Sequence, residues 1–121
     1  MLDLIFYPQM GQAPAYVEVS ESLYEWLARS EFSRVGESQV RSLSLDGEDL
    51  DLAVVDLGRE TRQGLASFLR DQIIEESDRV LGELDEVRSK DEVQEMTYRL
   101  RKFQELRKCV ENPMYDYLQR A

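Results

Sequence analysis

The chain has 121 residues, 25 acids against 15 bases for a net charge of −10, one cysteine and no histidine. That length suits one domain with a real core and leaves no room for a separate lid or second lobe. Without histidine the commonest general base and metal ligand is missing, and the lone Cys109 excludes an internal disulfide or a cysteine-based zinc site.

Cys109 reads as a small apolar residue on a helix flank, since no histidine is present to activate its thiol. The N-terminus shows no basic segment followed by an apolar core. No apolar run approaches the roughly 18 residues of a membrane span, so a cytoplasmic protein is expected. Arginine outnumbers lysine 12 to 3, a bias associated with GC-rich bacterial or phage genomes.

Taken in order, Leu2 to Tyr7 is short, apolar and rich in strand formers, and reads as a strand covered on both faces. Residues 8–14 form a loop, and Tyr16, Val17 and Val19 around Glu18 read as a short return strand. Ser20 or Ser22 can cap a helix running to about Phe32, with Leu23, Trp26 and Leu27 as its buried face. A polar linker over 33–39 follows. Leu43 and Leu45 alternate with serines, residues 46–49 turn, and Leu50, Leu52 and Val54 alternate back, which predicts a β-hairpin. Gly58 closes the sheet region.

Two long helices dominate the rest. Leu65, Leu69, Ile73, Val80, Leu84 and Val87 recur at helical spacing, with Phe68, Ile74 and Leu81 widening the stripe. Charged residues between them, Asp85 and Glu86 included, form a wet outer face. Glu76 and Ser77 interrupt the stripe, which predicts a gap, bend or partner contact there. Ser89, with Glu92 three residues on, fits a capping box that opens the second helix. Val93, Met96, Leu100, Phe103 and Val110 continue it, with Arg107 breaking the seam. The short slack between the helices predicts an antiparallel hairpin; a continuous or intermolecular coiled coil is the alternative. Asn112-Pro113 stops the helix, and residues 114–120 read as a final helical turn or two.

The expected fold is therefore α+β: a small antiparallel sheet of three or four strands, one short helix and a long helical hairpin, in one domain over 1–121. Residues 1–58 form its acidic part and 59–121 its helical part.

Chemistry would have to rest on carboxylates. Glu75-Glu76, Glu83 with Glu86, and Glu92 with Glu95 resemble the acid clusters of helical nucleotide pyrophosphohydrolases, and the resemblance implies Mg²⁺ held on paired helices. The chain departs from that pattern after Glu76, where Ser-Asp-Arg follows, and in the later pair, which is Glu92-Val-Gln-Glu95. Residues 46–51 gather acids around Gly47 without the ligand spacing of a calcium loop. Five bases within residues 99–108 are expected to complement acids of the preceding helix rather than phosphate.

Charge is uneven. Residues 1–58 carry 11 acids and 3 bases, a net of −8, whereas 59–121 carry 14 and 12, a net of −2. Such a field repels nucleic acid and anionic membranes and attracts basic proteins. The expected function is non-enzymatic, with no cofactor, no metal and no catalytic residue: an acidic, immunity-type inhibitor of a basic toxin or nuclease-like protein. Self-association as a homodimer is the alternative, beside the hydrolase. Glu48, Asp49 and Asp51 are the candidate docking residues, joined by Tyr115 and Tyr117 as aromatics expected to be partly exposed.

Overall fold

The computed structural model describes residues 2–9, 12–84 and 89–120. In chain order it runs β1 (Leu2–Pro8), β2 (Ala15–Val19), α1 (Glu21–Arg29), a 3₁₀ turn (Glu31–Ser33), β3 (Ser38–Leu45), β4 (Glu48–Asp56), α2 (Arg59–Glu83), α3 (Lys90–Met96), α4 (Tyr98–Glu111) and β5 (Tyr115–Gln119). The class is α+β, and the sheet has five strands rather than three or four, in the order β2-β1-β5-β4-β3 with every pairing antiparallel.

The extra strand is β5, formed by the segment expected to be a helical turn. Asn112 ends α4, and its side-chain oxygen accepts from Met114 N at 3.0 Å, bending the chain away from helical geometry. Tyr115–Gln119 then inserts between β1 and β4, pairing Phe6 with Leu118 on one side and Val55 with Leu118 on the other. Pairing partners far away in sequence supply the hydrogen bonds, so the local pattern did not announce them.

Both faces of the sheet are covered, as the apolar run of β1 implies. Leu4, Phe6, Val17, Val19, Val55 and Leu118 turn toward the helices, where Leu23, Leu27, Phe32, Leu65, Leu69, Phe103, Leu106 and Val110 meet them in the main core. Phe6, Phe32 and Phe103 are the largest side chains fully buried there. Each stabilises by roughly 2–3 kcal/mol through burial of apolar surface. The opposite face holds Tyr7, Leu43 and Val54 with Ile5, Leu45, Leu52 and Tyr117 against them.

Several local features set the helices. Ser20, not Ser22, caps α1 by accepting from Leu23 N at 3.3 Å. The helix stops at Arg29, before the expected Phe32, because Ser30 Oγ donates to Leu27 O (2.7 Å) and accepts from Phe32 N (3.2 Å), starting the 3₁₀ turn. Ser89 caps α3 as expected, accepting from Glu92 N at 3.2 Å. The second long helix is broken at Thr97, whose hydroxyl donates to Val93 O at 2.8 Å and whose backbone (φ −94°, ψ 1°) leaves the helical region. The antiparallel hairpin forms all the same, between α2 and α4. Val87, Asp85 and Glu86 lie outside the described residues, as do Met10 and Gly11 of the expected loop.

Ile74 and Leu81 correct the expected stripe of α2: they stand 60% and 65% exposed, and Leu84 is 47% exposed. The helix carries two apolar faces, and the core covers only the one that bears Leu65, Leu69 and Val80. The interruption at Glu76 is filled by Arg79, which pairs with Glu76 at 2.8 Å and donates to Met96 O at 2.8 Å, tying α2 to the end of α3. At the other end Arg62 donates to the carbonyls of Val110 (2.6 Å), Asn112 (2.9 Å), Leu57 (3.0 Å) and Tyr115 (2.7 Å). One guanidinium thus locks the end of α4 and the start of β5 onto α2. Among the described residues no helix is long and apolar enough to cross a membrane.

Candidate protein-binding interface

The hairpin β3–β4 is an arm. It turns at Asp46 (φ 51°) and Gly47 (φ 81°), two consecutive left-handed residues that make the tight turn whose twist suits a hairpin. That turn fixes the register, with Leu45 opposite Glu48, Leu43 opposite Leu50 and Ser42 opposite Asp51. Only Val55 and Asp56 of β4 pair with β5, so the rest of the arm runs beyond the sheet. Its tip and Pro14 and Tyr16 of the far edge line one cleft of about 480 Å³, so the arm curls across the sheet toward β2.

Alternation then sorts the side chains. Leu43, Leu45, Leu52 and Val54 turn inward to Tyr7 and Tyr117. Asp49 and Asp51, two residues apart, share the opposite face with Val40, Ser42 and Ser44 of β3. Val40 is 71% exposed. Glu48 falls on the inward side with Leu50, at the tip where both still reach solvent. The expected acidic trio is therefore divided between two faces of one ribbon.

Electrostatically the arm is lopsided. Residues 38–56 hold five acids and one base, Arg41. That base is spent on Asp56, which accepts from Nη2 at 2.6 Å and from Nε at 3.3 Å, raising the arginine pKa through this hydrogen bond and charge pair. Asp46, Glu48, Asp49 and Asp51 make no ion pair among the described residues. Among the described residues strand β3 also leaves one edge of its backbone without a neighbouring strand.

The two tyrosines do not join this surface as a pair. The register shifts between Tyr7 and Pro8, which pair with Tyr117 and Tyr115, so Asp116 is an extra residue in β5. The bulge sends Tyr115 into the main core, 6.1 Å from the Phe6 ring, and Tyr117 to the arm side against Tyr7 and Val54. Both are half-buried. The arm's exposed apolar residues are Val40 and Leu50; Val40 falls out of the alternation of Leu43 and Leu45, on the other face, so the sequence pattern did not single it out.

Of the helix-borne carboxylates, Glu76, Glu83, Glu92 and Glu95 line one open cleft of about 650 Å³ together with Arg79. Glu76 and Glu83 pair with Arg79, which sits between them at 2.8 and 3.3 Å. Glu75 and Asp78 face solvent, Glu92 takes part in the Ser89 cap, and Glu86 lies outside the described residues. Among the described residues no three acids, histidines or cysteines are grouped so that they could hold a metal ion. Four of the five bases of residues 99–108 find partners other than the acids of α2. Arg99 lies over Trp26 (5.3 Å), Lys102 pairs with Glu105 (3.0 Å), and Arg107 pairs with Glu111. The ion pair across the hairpin has the reverse polarity, Arg70 of α2 with Glu111 of α4. Burial pushes the Glu111 carboxyl up, but the hydrogen bonds from Arg70 and Arg107 outweigh it and hold its pKa below 4.5. Burial and then Glu105 raise the Cys109 pKa, which keeps the half-buried thiol protonated and poorly nucleophilic.

Compared with known proteins, the chain matches no family model, no curated protein and no solved structure.

Proposed function

We propose that this protein is a non-enzymatic binding module that captures a basic protein on the β3–β4 arm, in the manner of an acidic inhibitor or immunity protein that neutralises a cationic toxin or nuclease. The observation that supports this is the set of four carboxylates, Asp46, Glu48, Asp49 and Asp51, without ion pairs among the described residues on a ribbon that also exposes Val40 and Leu50. Each unpaired carboxylate meeting a lysine or arginine at about 4 Å contributes between about 1 kcal/mol in water and about 4 kcal/mol at a partly desolvated surface. The apolar pair adds contact area that charge alone does not supply. Long-range attraction speeds the encounter and is weakened by salt. The cytoplasm is the proposed place of action.

The test is capture of partners from the native cell lysate at low and moderate salt. A basic protein retained at low salt and released by salt is the expected result. Reversing Glu48, Asp49 and Asp51 to lysine should cut that capture at least about tenfold, since three pairs are lost. Undiminished capture by the correctly folded triple variant would remove the arm from the interface.

A second reading has its own observation. Ile74 and Leu81 lie seven residues apart on the outer face of α2, with Leu84 three further on, the spacing of a helix-pairing seam. Self-association through that seam predicts a dimer in sedimentation, and a monomer at high concentration excludes it.

A further inference from the structure

Arg120, just past β5, is a cation held by backbone oxygens. Its Nη1 donates to the carbonyls of Phe32 (2.7 Å) and Val35 (2.6 Å), and Nη2 donates to Gly36 O (2.8 Å). Gly36 reaches that position with φ +74°, and a Cβ there would lie 2.7 Å from Val55 Cγ1, so only glycine presents this carbonyl. A guanidinium carries five N–H donors. Three are used, which leaves Nε–H and one Nη2–H without an acceptor among the described residues.

No carboxylate pairs with this half-buried charge among the described residues, and burial pushes its pKa down. Among the described residues the other guanidinium fixed on several carbonyls, Arg62, has four of its donors engaged. Arg120 differs in having donors to spare and in lining a cleft of about 610 Å³ between α1, the 3₁₀ turn and β1. Leu4, Leu27 and Phe32 lie beneath it, almost fully covered, while Tyr24 and Ala28 are its reachable apolar lining and Ser38 adds a hydroxyl. The volume lies within the range of small-molecule sites, about 300–1,000 Å³.

We propose that this cleft binds a small organic carboxylate with an apolar tail, the carboxylate accepting from Nε and Nη2 of Arg120 and the tail lying against Tyr24 and Ala28. Two remaining donors in one plane match the two oxygens of a carboxylate. Either anion faces Glu37 and a chain of net charge −10, a repulsion that grows with the ligand's charge and so favours a carboxylate over a phosphate. The site is independent of the arm.

Titration calorimetry of the full chain with octanoate, against 1-octanol, tests the assignment. Saturable binding of octanoate, at least about tenfold tighter than octanol, is expected from a charge-assisted pair. Arg120→Gln should weaken it at least about tenfold. Because that change also removes the carbonyl bonds, Ala28→Trp is the companion variant: Ala28 is exposed on α1 and lines the cleft, so the indole fills it with Arg120 in place. Loss of binding in Ala28→Trp supports the site. No saturable binding of octanoate, equal affinity for octanol, or undiminished binding in Ala28→Trp overturns it.

Discussion

The two faces of the sheet are covered in different ways. Behind the helix-covered face, 15 buried residues form one cluster among the described residues, drawn from β1, β2, α1, the 3₁₀ turn, the end of β4 with Leu57, α2, α4 and β5. Behind the arm there are three, Tyr7, Leu43 and Val54, with partly covered neighbours. One face concentrates cohesion, and the other presents a charged ribbon on a small footing. A region with few buried contacts opens at lower free energy than the whole molecule. The arm can therefore open while the helices hold the fold.

The largest expected effect is on the helix side. Phe103→Ala removes a fully buried ring that packs 5.6 Å from Trp26, and should cost about 3–5 kcal/mol in urea unfolding. Should it cost no more than a substitution under the arm, the contrast between the faces fails. Leu43→Ala is that second substitution, at about 2 kcal/mol. Its sharper signature is local: hydrogen exchange should accelerate over residues 38–56 while amides of α2 and α4 stay protected. Uniform loss of protection would mean that arm and core unfold as one unit.

The smallest effect concerns Glu111, which joins α2 to α4 at the surface of the helical side. Its folded pKa lies below the unfolded value, so its stabilisation is present above the unfolded pKa and is lost as pH falls through the folded one. Exposed pairs are worth at most about 1 kcal/mol. Glu111→Gln should therefore flatten slightly the acid limb of stability between neutral and acidic pH, and an unchanged acid limb would remove the pair from the account.

Much of this was legible from local signals. The Ser89 cap, the hairpin return of α2 and α4, the Asp46-Gly47 turn and the doubly covered β1 each rest on residues near one another in the chain. What escaped depends on distant partners. Tyr115–Gln119 is too short to display a period, and its strand character comes from β1 and β4. Ile74 and Leu81 fit a helix as well as Leu69 does, and periodicity cannot say which of two apolar faces the rest of the chain will cover. At the candidate interface, alternation alone separates Glu48 from Asp49 and Asp51, whereas the bulge that parts Tyr115 from Tyr117 is visible only in the register. Arg120 gave no local cue at all, because its carbonyl partners lie more than 80 positions earlier.

The place of β5, fifth along the chain yet third across the sheet, has a consequence for the order of assembly. During synthesis β1–β2 and β3–β4 emerge as two separate hairpins that share no ladder hydrogen bond. Hairpins of two strands are marginal by themselves in water, so both must wait, with the helices already made, for Tyr115–Gln119 to leave the ribosome. Contacts of such long sequence separation close slowly. The nascent chain thus exposes two open strand edges, on β1 and on β4, until one five-residue segment arrives to seal both at once.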